Sequence, residues 1–238
     1  MSAGDETTSI SSEQSIGPAS LVDAKMRLPA LSLPSNLTFG PFPVTVSQAF
    51  HVSSSSLTYA LVNLRPLLPG HVLICPIRRV PRLAQLTTTE TTDLFLTVKV
   101  VSAMLERVYK ADALNVAVQD GAEAGQSVNH VHVHLIPRRR GDLENGDEIY
   151  ERMDGAEGNI GKAWEEYKTL QTRSAEKEKN EEKEIEGGPD GDAKRVNRSE
   201  EEMRKEAEWF RWEMERQDGI EERKHSKNDG GDGTGEIP

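Results

Sequence analysis

The stretch Val128–Asn129–His130–Val131–His132–Val133–His134–Leu135–Ile136–Pro137 decides how the chain is interpreted. Successive side chains of a β-strand point to opposite faces of the sheet. His130, His132 and His134 are therefore predicted to share one face of a strand, while the intervening valines face the core. The chain has six histidines, and three of them fall within five residues here. This concentration of imidazoles predicts a chemical site.

The residues alone leave three explanations of this site. Imidazole is a common zinc ligand, although no companion cysteine or acidic ligand pattern is evident here. The histidines could also be solvated residues without a chemical role. We favour nucleophilic catalysis, because free imidazole has a pKa of about 6.5 and is largely neutral at pH 7. Its attack on phosphorus gives a phosphoramidate that water can hydrolyse.

A glycine-bearing loop precedes the histidines and strengthens the catalytic explanation. It runs Gly121–Ala122–Glu123–Ala124–Gly125–Gln126–Ser127. Turns of this kind offer backbone amides to anionic oxygen atoms, and histidines beside a nucleophile can supply hydrogen bonds or protons to phosphate. The loop and the histidines together predict chemistry at a phosphate group.

The surrounding pattern predicts an α+β domain: an antiparallel sheet of about five strands, a long helix and a C-terminal helix. Thr87 with Glu90 forms a capping box before a helical apolar stripe. Ser199 with Glu202 forms a second box, before a helix that should end near Gly219. The apolar stripes are Leu94, Val98, Val101, Leu105 and Val108, and then Met203, Ala207, Phe210 and Met214. The predicted strands are Val44–Val46, Leu57–Asn63, His71–Cys75, Ala113–Gln119 and Val128–Pro137.

Composition divides the chain into five parts. We expect a disordered arm over 1–37, a folded domain over 38–160 and a charged disordered insertion over 161–198. The C-terminal helix over 199–218 and a disordered tail over 219–238 follow.

Charge and cysteine usage exclude several classes of partner. The net charge is −11, but residues 39–150 carry ten basic and ten acidic side chains and are formally neutral. A nucleic-acid partner is therefore not expected, since it needs a basic face. There is no apolar run long enough to span a membrane, and the N-terminus fits neither a secretory signal nor a transit peptide. With one cysteine, we expect a reducing compartment, the cytoplasm, with the nucleus as an alternative.

The stretch Gln119–His134 resembles the signature of the histidine-triad superfamily, and more narrowly its fragile-histidine-triad branch. The resemblance covers residues 39 to about 155 and resumes at the last helix. Other matching stretches are Phe39–Gly40, Tyr59–Asn63, Pro69–Pro76, Pro137–Arg138, Gly141–Asp142, Asp147–Tyr150 and Arg198–Met203.

The resemblance implies a dimer that extends the sheet and cleaves diadenosine triphosphate into AMP and ADP through a nucleotidyl-histidine. A divalent cation, magnesium or manganese, is expected to travel with the polyphosphate rather than in a protein cage. One alternative is the phosphoramidase branch of the superfamily. Another is a sensor in which the nucleotide-bound dimer is the signal, with Tyr150 as a modifiable phenol.

The resemblance also assigns roles to individual residues. His132 would be the nucleophile, with His130 and His134 positioning it and contacting phosphate oxygens. Gln119 would reach the phosphates, and Asn63 would hold the ribose. Gly125, Gln126, Ser127 and Val128 would line the phosphate site, and Phe39, Leu61 and Leu73 would form walls of the adenosine pocket. His71 is expected to be a satisfied core histidine.

The chain departs from the family pattern at two places. Phe42 stands where the family often has a polar residue, which puts one phosphate contact in doubt. Residues 154–198 form an insertion that short members lack, and the sequence gives it no role.

Overall fold

A computed structural model of the protein describes residues 31–155, 158–177 and 197–228. Side chains in 171–177 and 218–228 fall outside that description. The elements in chain order are β1 (Thr38–Phe39), β2 (Phe42–Pro43), β3 (Ala49–Val52), β4 (Thr58–Val62), β5 (Val72–Pro76), α1 (Thr88–Tyr109), β6 (Ala113–Ala117), β7 (Val133–Arg138), α2 (Glu148–Asp154), α3 (Ile160–Lys177) and α4 (Glu200–Asn228).

One five-stranded sheet organises the fold, in the order β3-β4-β5-β7-β6 with every neighbouring pair antiparallel. The short strands β1 and β2 pair separately. This confirms the predicted α+β class and the predicted antiparallel sheet of about five strands. No helix among the described residues is both long and apolar enough to cross a membrane.

Helix α1 begins where the sequence predicts it. The Thr87 hydroxyl accepts from the Glu90 amide, and the Glu90 carboxylate accepts from the Thr87 amide, so the capping box is complete. Arg78 also donates to Glu90, and this lowers the Glu90 pKa to about 2. The apolar stripe of α1 is buried from Leu94 to Leu105, and the helix packs on β4, β5 and β7.

Helix α4 completes the core. The Ser199–Glu202 capping box is present, and the predicted stripe of Met203, Ala207, Phe210 and Met214 is buried. The helix packs against β3, β4 and α1, and Arg211 donates to the main-chain oxygens of Val46 and Ala49 beside edge strand β3. The predicted end at Gly219 is wrong, because the helix continues to Asn228. A helical glycine costs only about 1 kcal/mol relative to alanine.

Two predicted strands are misplaced. Val44–Val46 is not a strand, because the amides of Gln48 and Ala49 both donate to the Thr45 carbonyl and close a turn there. Strand β7 starts only at Val133, because the segment before it makes other bonds. The His130 amide donates to the Val128 carbonyl, and the Val131 amide donates to the Val80 carbonyl.

The predicted domain boundaries change at both flanks. The prediction of disorder from residue 161 is wrong for residues 161–177, which form most of α3. Leu37, at the end of the predicted arm, is buried. Residues 1–30 of the arm, 178–196 of the insertion and 229–238 of the tail lie outside the described residues.

Candidate active site

Strand register brings three predicted site residues into one row across the sheet. Leu61 on β4 pairs with Leu73 on β5, and Leu73 pairs with His134 on β7. Paired residues share a face, as do residues two apart on one strand. Asn63 lies two residues after Leu61, and His71 lies two residues before Leu73. Because the strands are antiparallel, both lie at the same end of that face, and all five side chains are buried.

The tautomer of His132 is fixed by one hydrogen bond. Its Nδ1 lies 2.7 Å from the main-chain oxygen of His130. A carbonyl oxygen can only accept, so Nδ1 carries the proton and donates it. The other ring nitrogen, Nε2, then holds a lone pair. It is buried and has no hydrogen-bond partner among the described residues.

His130 supports His132 and has no ring nitrogen left for phosphate. Its Nε2 donates to the Pro76 carbonyl at 2.9 Å, and its Nδ1 accepts from the Gly40 amide at 3.0 Å. The resemblance implies that His130 also contacts phosphate oxygens. Both ring nitrogens are already engaged, so its side chain instead fixes the segment whose carbonyl holds His132.

His134 has the opposite tautomer to His132. The Leu67 amide donates to Nδ1 of His71 at 3.1 Å, so His71 carries its proton on Nε2 and donates it to Nδ1 of His134 at 2.9 Å. His134 therefore holds its own proton on Nε2, which is buried without a partner among the described residues. The His132 and His134 rings lie 5.0 Å apart. The site thus presents a lone pair and a proton donor side by side.

The sequence predicted His71 only as a satisfied core histidine. In the structure it does more than occupy the core. It connects the loop before β5 to the proton on His134. The sequence carried a signal for this, since the predicted strand His71–Cys75 places His71 on the same face as Leu73, a predicted wall of the adenosine pocket.

Burial keeps the three histidines of the run neutral. It lowers the pKa of His130 to about 4, and it lowers the pKa of His132. Burial, with additional repulsion from His132 and His71, holds the pKa of His134 well below its usual value. A neutral His132 keeps its lone pair at physiological pH, as a nucleophile requires.

This burial predicts that stability falls with acid. Each histidine has a lower pKa folded than unfolded, so the unfolded chain binds more protons below pH 6.5 and stability declines as the pH drops. Each fully shifted histidine contributes a slope of about 1.4 kcal/mol per pH unit there. The free energy of unfolding, measured in urea at pH 7 and pH 5, should be clearly smaller at pH 5. The same value at both pH values would contradict the burial of neutral histidines.

The loop before the histidines is shaped by its own hydrogen bonds. The amides of Gly125 and Gln126 donate to the carbonyls of Ala122 and Gly121, and the Gln126 side chain bridges the Gly121 amide and the Pro81 carbonyl. Gly125 and Gln126, both predicted to line the phosphate site, therefore hold the loop in shape through these bonds. Gly125 has φ +84°, a left-handed conformation that favours glycine. A Cβ there would lie 2.6 Å from Nε2 of Gln119, so Gln119 lies directly against the loop.

Ser127 and Val128, which are both predicted to line the phosphate site, lie at the end of the loop. Val128 is buried, and the Ser127 hydroxyl accepts from the Gly161 amide at 3.2 Å. An open groove of about 620 Å³ runs between the loop from Ala122 to Ser127 and the residues Met153–Gly155 and Gly158–Asn159.

Aromatic side chains surround the predicted adenosine wall. The ring of Phe39 lies 5.2 Å from His132 and 6.2 Å from Trp164 of α3. Phe42 stacks on Trp164 at 5.6 Å, which explains an apolar residue at that position. Trp164 was not predicted as a site residue, although the helical spacing of Ile160, Ala163, Trp164 and Tyr167 could have revealed it.

Two further expectations concern Tyr150 and metals. Tyr150 is 54% exposed on α2, and its hydroxyl accepts from Asn115 at 3.4 Å. In the part of the chain that the structure describes, no three His, Cys, Asp or Glu side chains are grouped as metal ligands.

The chain is similar to several known proteins. The model of the HIT domain matches residues 44–141. An Arabidopsis thaliana bifunctional bis(5'-adenosyl)-triphosphatase/adenylylsulfatase is 48% identical over 53% of this chain and 69% of its own length. A Schizosaccharomyces pombe asymmetrical bis(5'-nucleosyl)-tetraphosphatase is 44% identical over 75% of this chain and 94% of its own. The crystal structure of the C. elegans NitFhit protein, 39% identical, covers 54% of this chain and 31% of that chain, with a TM-score of 0.44.

The chain therefore belongs to the HIT-domain family. Its relatives within that family are of the fragile-histidine-triad type, as the sequence resemblance predicted.

Proposed function

We propose that the protein hydrolyses dinucleoside polyphosphates, cleaving diadenosine triphosphate into AMP and ADP. The observation that carries this proposal is the Nε2 lone pair of His132, which has no hydrogen-bond partner among the described residues and is fixed by the bond from Nδ1 to the His130 carbonyl. Two relatives, named as a triphosphatase and a tetraphosphatase, support the same substrate class.

The proposed reaction has two steps at one phosphorus atom. Nε2 of His132 attacks the α-phosphorus, a nitrogen–phosphorus bond forms, and the bond to the bridging oxygen breaks with ADP as leaving group. Water then attacks the same phosphorus, the nitrogen–phosphorus bond breaks, and AMP leaves with the water oxygen. The His132 lone pair is restored, and one water is consumed for each substrate cleaved.

Neighbouring groups would stabilise the charge that develops on phosphate. The Nε2 proton of His134 lies beside the His132 lone pair and is suited to an oxygen of the transferred group. The Ser127 hydroxyl and the amides of Ser127 and Val128 would hold further oxygens, and Gln119 would reach the bridging phosphates. The open groove beside the loop has room for the rest of the polyphosphate.

We infer that magnesium or manganese enters as part of the substrate, bound to the polyphosphate. Both cations prefer oxygen ligands, and magnesium commonly binds through substrate phosphates. The ribose would lie against Asn63, and the base would lie between Phe39, Leu61 and Leu73.

Hydrolysis in water enriched in ¹⁸O tests the proposed reaction. With diadenosine triphosphate, the heavy oxygen should appear on AMP and be absent from ADP, because water attacks only the adenylyl group on His132. Mass spectrometry of the separated nucleotides measures this. Label on ADP alone would mean that water attacks elsewhere, and the covalent intermediate would then be rejected.

A substrate panel separates the alternatives. Diadenosine tri- and tetraphosphate, adenylyl sulfate and an adenosine phosphoramidate should be compared by kcat/KM. A clear preference for the phosphoramidate would favour the phosphoramidase branch. Tight binding of the polyphosphates with almost no turnover would favour the sensor, in which exposed Tyr150 could be modified.

We also propose a homodimer that extends the sheet. Strand β6 lies at one edge of the sheet, Val116 on it is half exposed, and so are Phe95 and Leu96 on α1. Sedimentation distinguishes such a dimer from a 26.4 kDa monomer.

A further inference from the structure

The reactive atoms of the site are shut off from solvent. Nε2 of His132 and Nε2 of His134 are both buried and unpartnered in the described part of the chain. His132 is 1% exposed and His134 is 2% exposed. A phosphorus atom cannot reach His132 in this arrangement. Whatever covers these nitrogens must therefore withdraw before a nucleotide can react.

Two observations place the segment 158–170, which we call the lid, over this part of the site: Gly158 and Ile160 lie beside His134, and Trp164 lies against Phe39, whose ring packs on His132. The lid comprises the turn before α3 and the first turns of that helix. Where the lid meets the site, Asn63, His71 and His134 lie on one side. On the other side lie Met153 of α2 with Gly158 and Ile160 of the lid, and no room for a water molecule remains between the two sides.

Trp164 is the largest part of the lid inside the site. It is 2% exposed, and its indole nitrogen is buried without a partner among the described residues. Its ring contacts Phe39 and stacks on Phe42. An indole is close in size and shape to a purine, so Trp164 occupies the kind of space that a base stacked on Phe39 requires.

The lid also contacts the phosphate side of the site. The Gly161 amide donates to the Ser127 hydroxyl. The approach is so close that a Cβ on Gly161 would lie 2.5 Å from the Ser127 carbonyl oxygen. A helical glycine costs stability relative to alanine, and here it allows α3 to dock against the loop. The lid thus covers the positions proposed for the base and for the phosphates.

Polar contacts outside the site hold the lid in place. Arg65 pairs with Glu166 on α3, whose side chain is 45% exposed. The Asn197 side chain accepts from Arg65 and donates to the Ala163 carbonyl. An exposed ion pair contributes about 0–1 kcal/mol. These contacts orient the lid, and the ion pair itself adds little to the free energy that opening would cost.

We propose that the lid is an autoinhibitory element, with Trp164 as a plug that competes with the nucleotide base for the space beside Phe39. This rests on the proposed function for the identity of the competitor. Only molecules with an open lid can bind, so the apparent dissociation constant rises as the open fraction falls. The two departures from the family pattern contact each other here, because Phe42 stacks on Trp164 and Trp164 lies in the insertion.

Chemical modification of His132 in the full-length protein tests the lid without nucleotide. Diethyl pyrocarbonate acylates accessible imidazole nitrogens, and mass spectrometry of the peptides locates the adduct. The test variants are Trp164→Ala, which removes the plug, and Gly161→Ala, which keeps the helix but obstructs docking. The rate at His132 should rise by about tenfold or more in both, as expected if the open fraction rises by that factor. His51, outside the site, is the internal reference.

Matched controls change the same residue type or the same helix. Trp212→Ala removes a tryptophan from α4, and Lys162→Ala changes an exposed side chain of α3. Neither should alter the His132 rate. Unchanged His132 rates in both test variants, or the same increase in the controls, would overturn the lid.

Kinetics separate the lid from the proposed function. If both are correct, the test variants should also show a lower KM for diadenosine triphosphate. Faster modification of His132 without hydrolysis by any variant would retain the lid and reject the function. Hydrolysis by the wild type with unchanged modification rates in both test variants would retain the function and reject the lid.

Discussion

The His132→Asn variant is expected to lose hydrolysis of diadenosine triphosphate by about 10⁴-fold or more, as removal of a catalytic nucleophile typically does. The asparagine amide can still donate to the His130 carbonyl, so the surrounding chain keeps its arrangement. It has no nitrogen lone pair to offer phosphorus. Substrate affinity should change little, because the loop, Asn63 and His134 remain.

Turnover and binding have to be measured separately for this variant. Product formation gives kcat, and calorimetric titration with a slowly hydrolysed analogue gives Kd. His51→Asn on β3 is the matched control and should keep wild-type turnover. Turnover of His132→Asn within tenfold of wild type would remove His132 as the nucleophile.

Removing α4 is expected to abolish cooperative folding. A chain ending at Gly187 loses Met203, Phe210 and Met214, which are 0–3% exposed. Burying each such side chain contributes roughly 1.5–3 kcal/mol, and a domain is typically stable by only about 5–15 kcal/mol. The truncated chain also loses Arg198, whose guanidinium donates to the main-chain oxygen of Asn63.

Thermal and urea unfolding followed by circular dichroism measures this loss. The milder Phe210→Ala variant should be destabilised by about 3–5 kcal/mol, as is usual for a buried phenylalanine. Lys205→Ala on the exposed side of α4 is the control and should stay within about 0.5 kcal/mol of wild type. A chain ending at Asn228 should melt as the full chain does. An unchanged melting temperature after truncation at Gly187 would mean that α4 does not stabilise the domain.

Elements with complete local signals could be predicted from the sequence. Helix α1 has its capping box and apolar stripe within one stretch, and the turn residues Pro69 and Gly70 separate β4 from β5. The prediction of a strand over His130–His132 was wrong, although the alternation of residues there is typical of a strand. The backbone of this segment instead bonds to distant residues such as Val80, and no local pattern records that.

The same distinction holds for the site. The residue types and the order His130, His132, His134 were sufficient to locate it. The tautomers were not predictable, since they depend on carbonyl and amide groups supplied by Pro76, Gly40 and Leu67. Helix α3 was missed because its many charged residues obscured Trp164, whose burial depends on Phe39 and Phe42 far away in the chain.

Arg211 has a consequence for the stoichiometry of assembly. It takes the carbonyl of Ala49, at the start of edge strand β3, and that of Val46 just before the strand, so this end of the edge is blocked to an incoming strand. In the part of the chain that is described, strand pairing is then left to β6 at the opposite edge. Two molecules joined through β6 by a twofold axis have no free edge left, so growth stops at a pair.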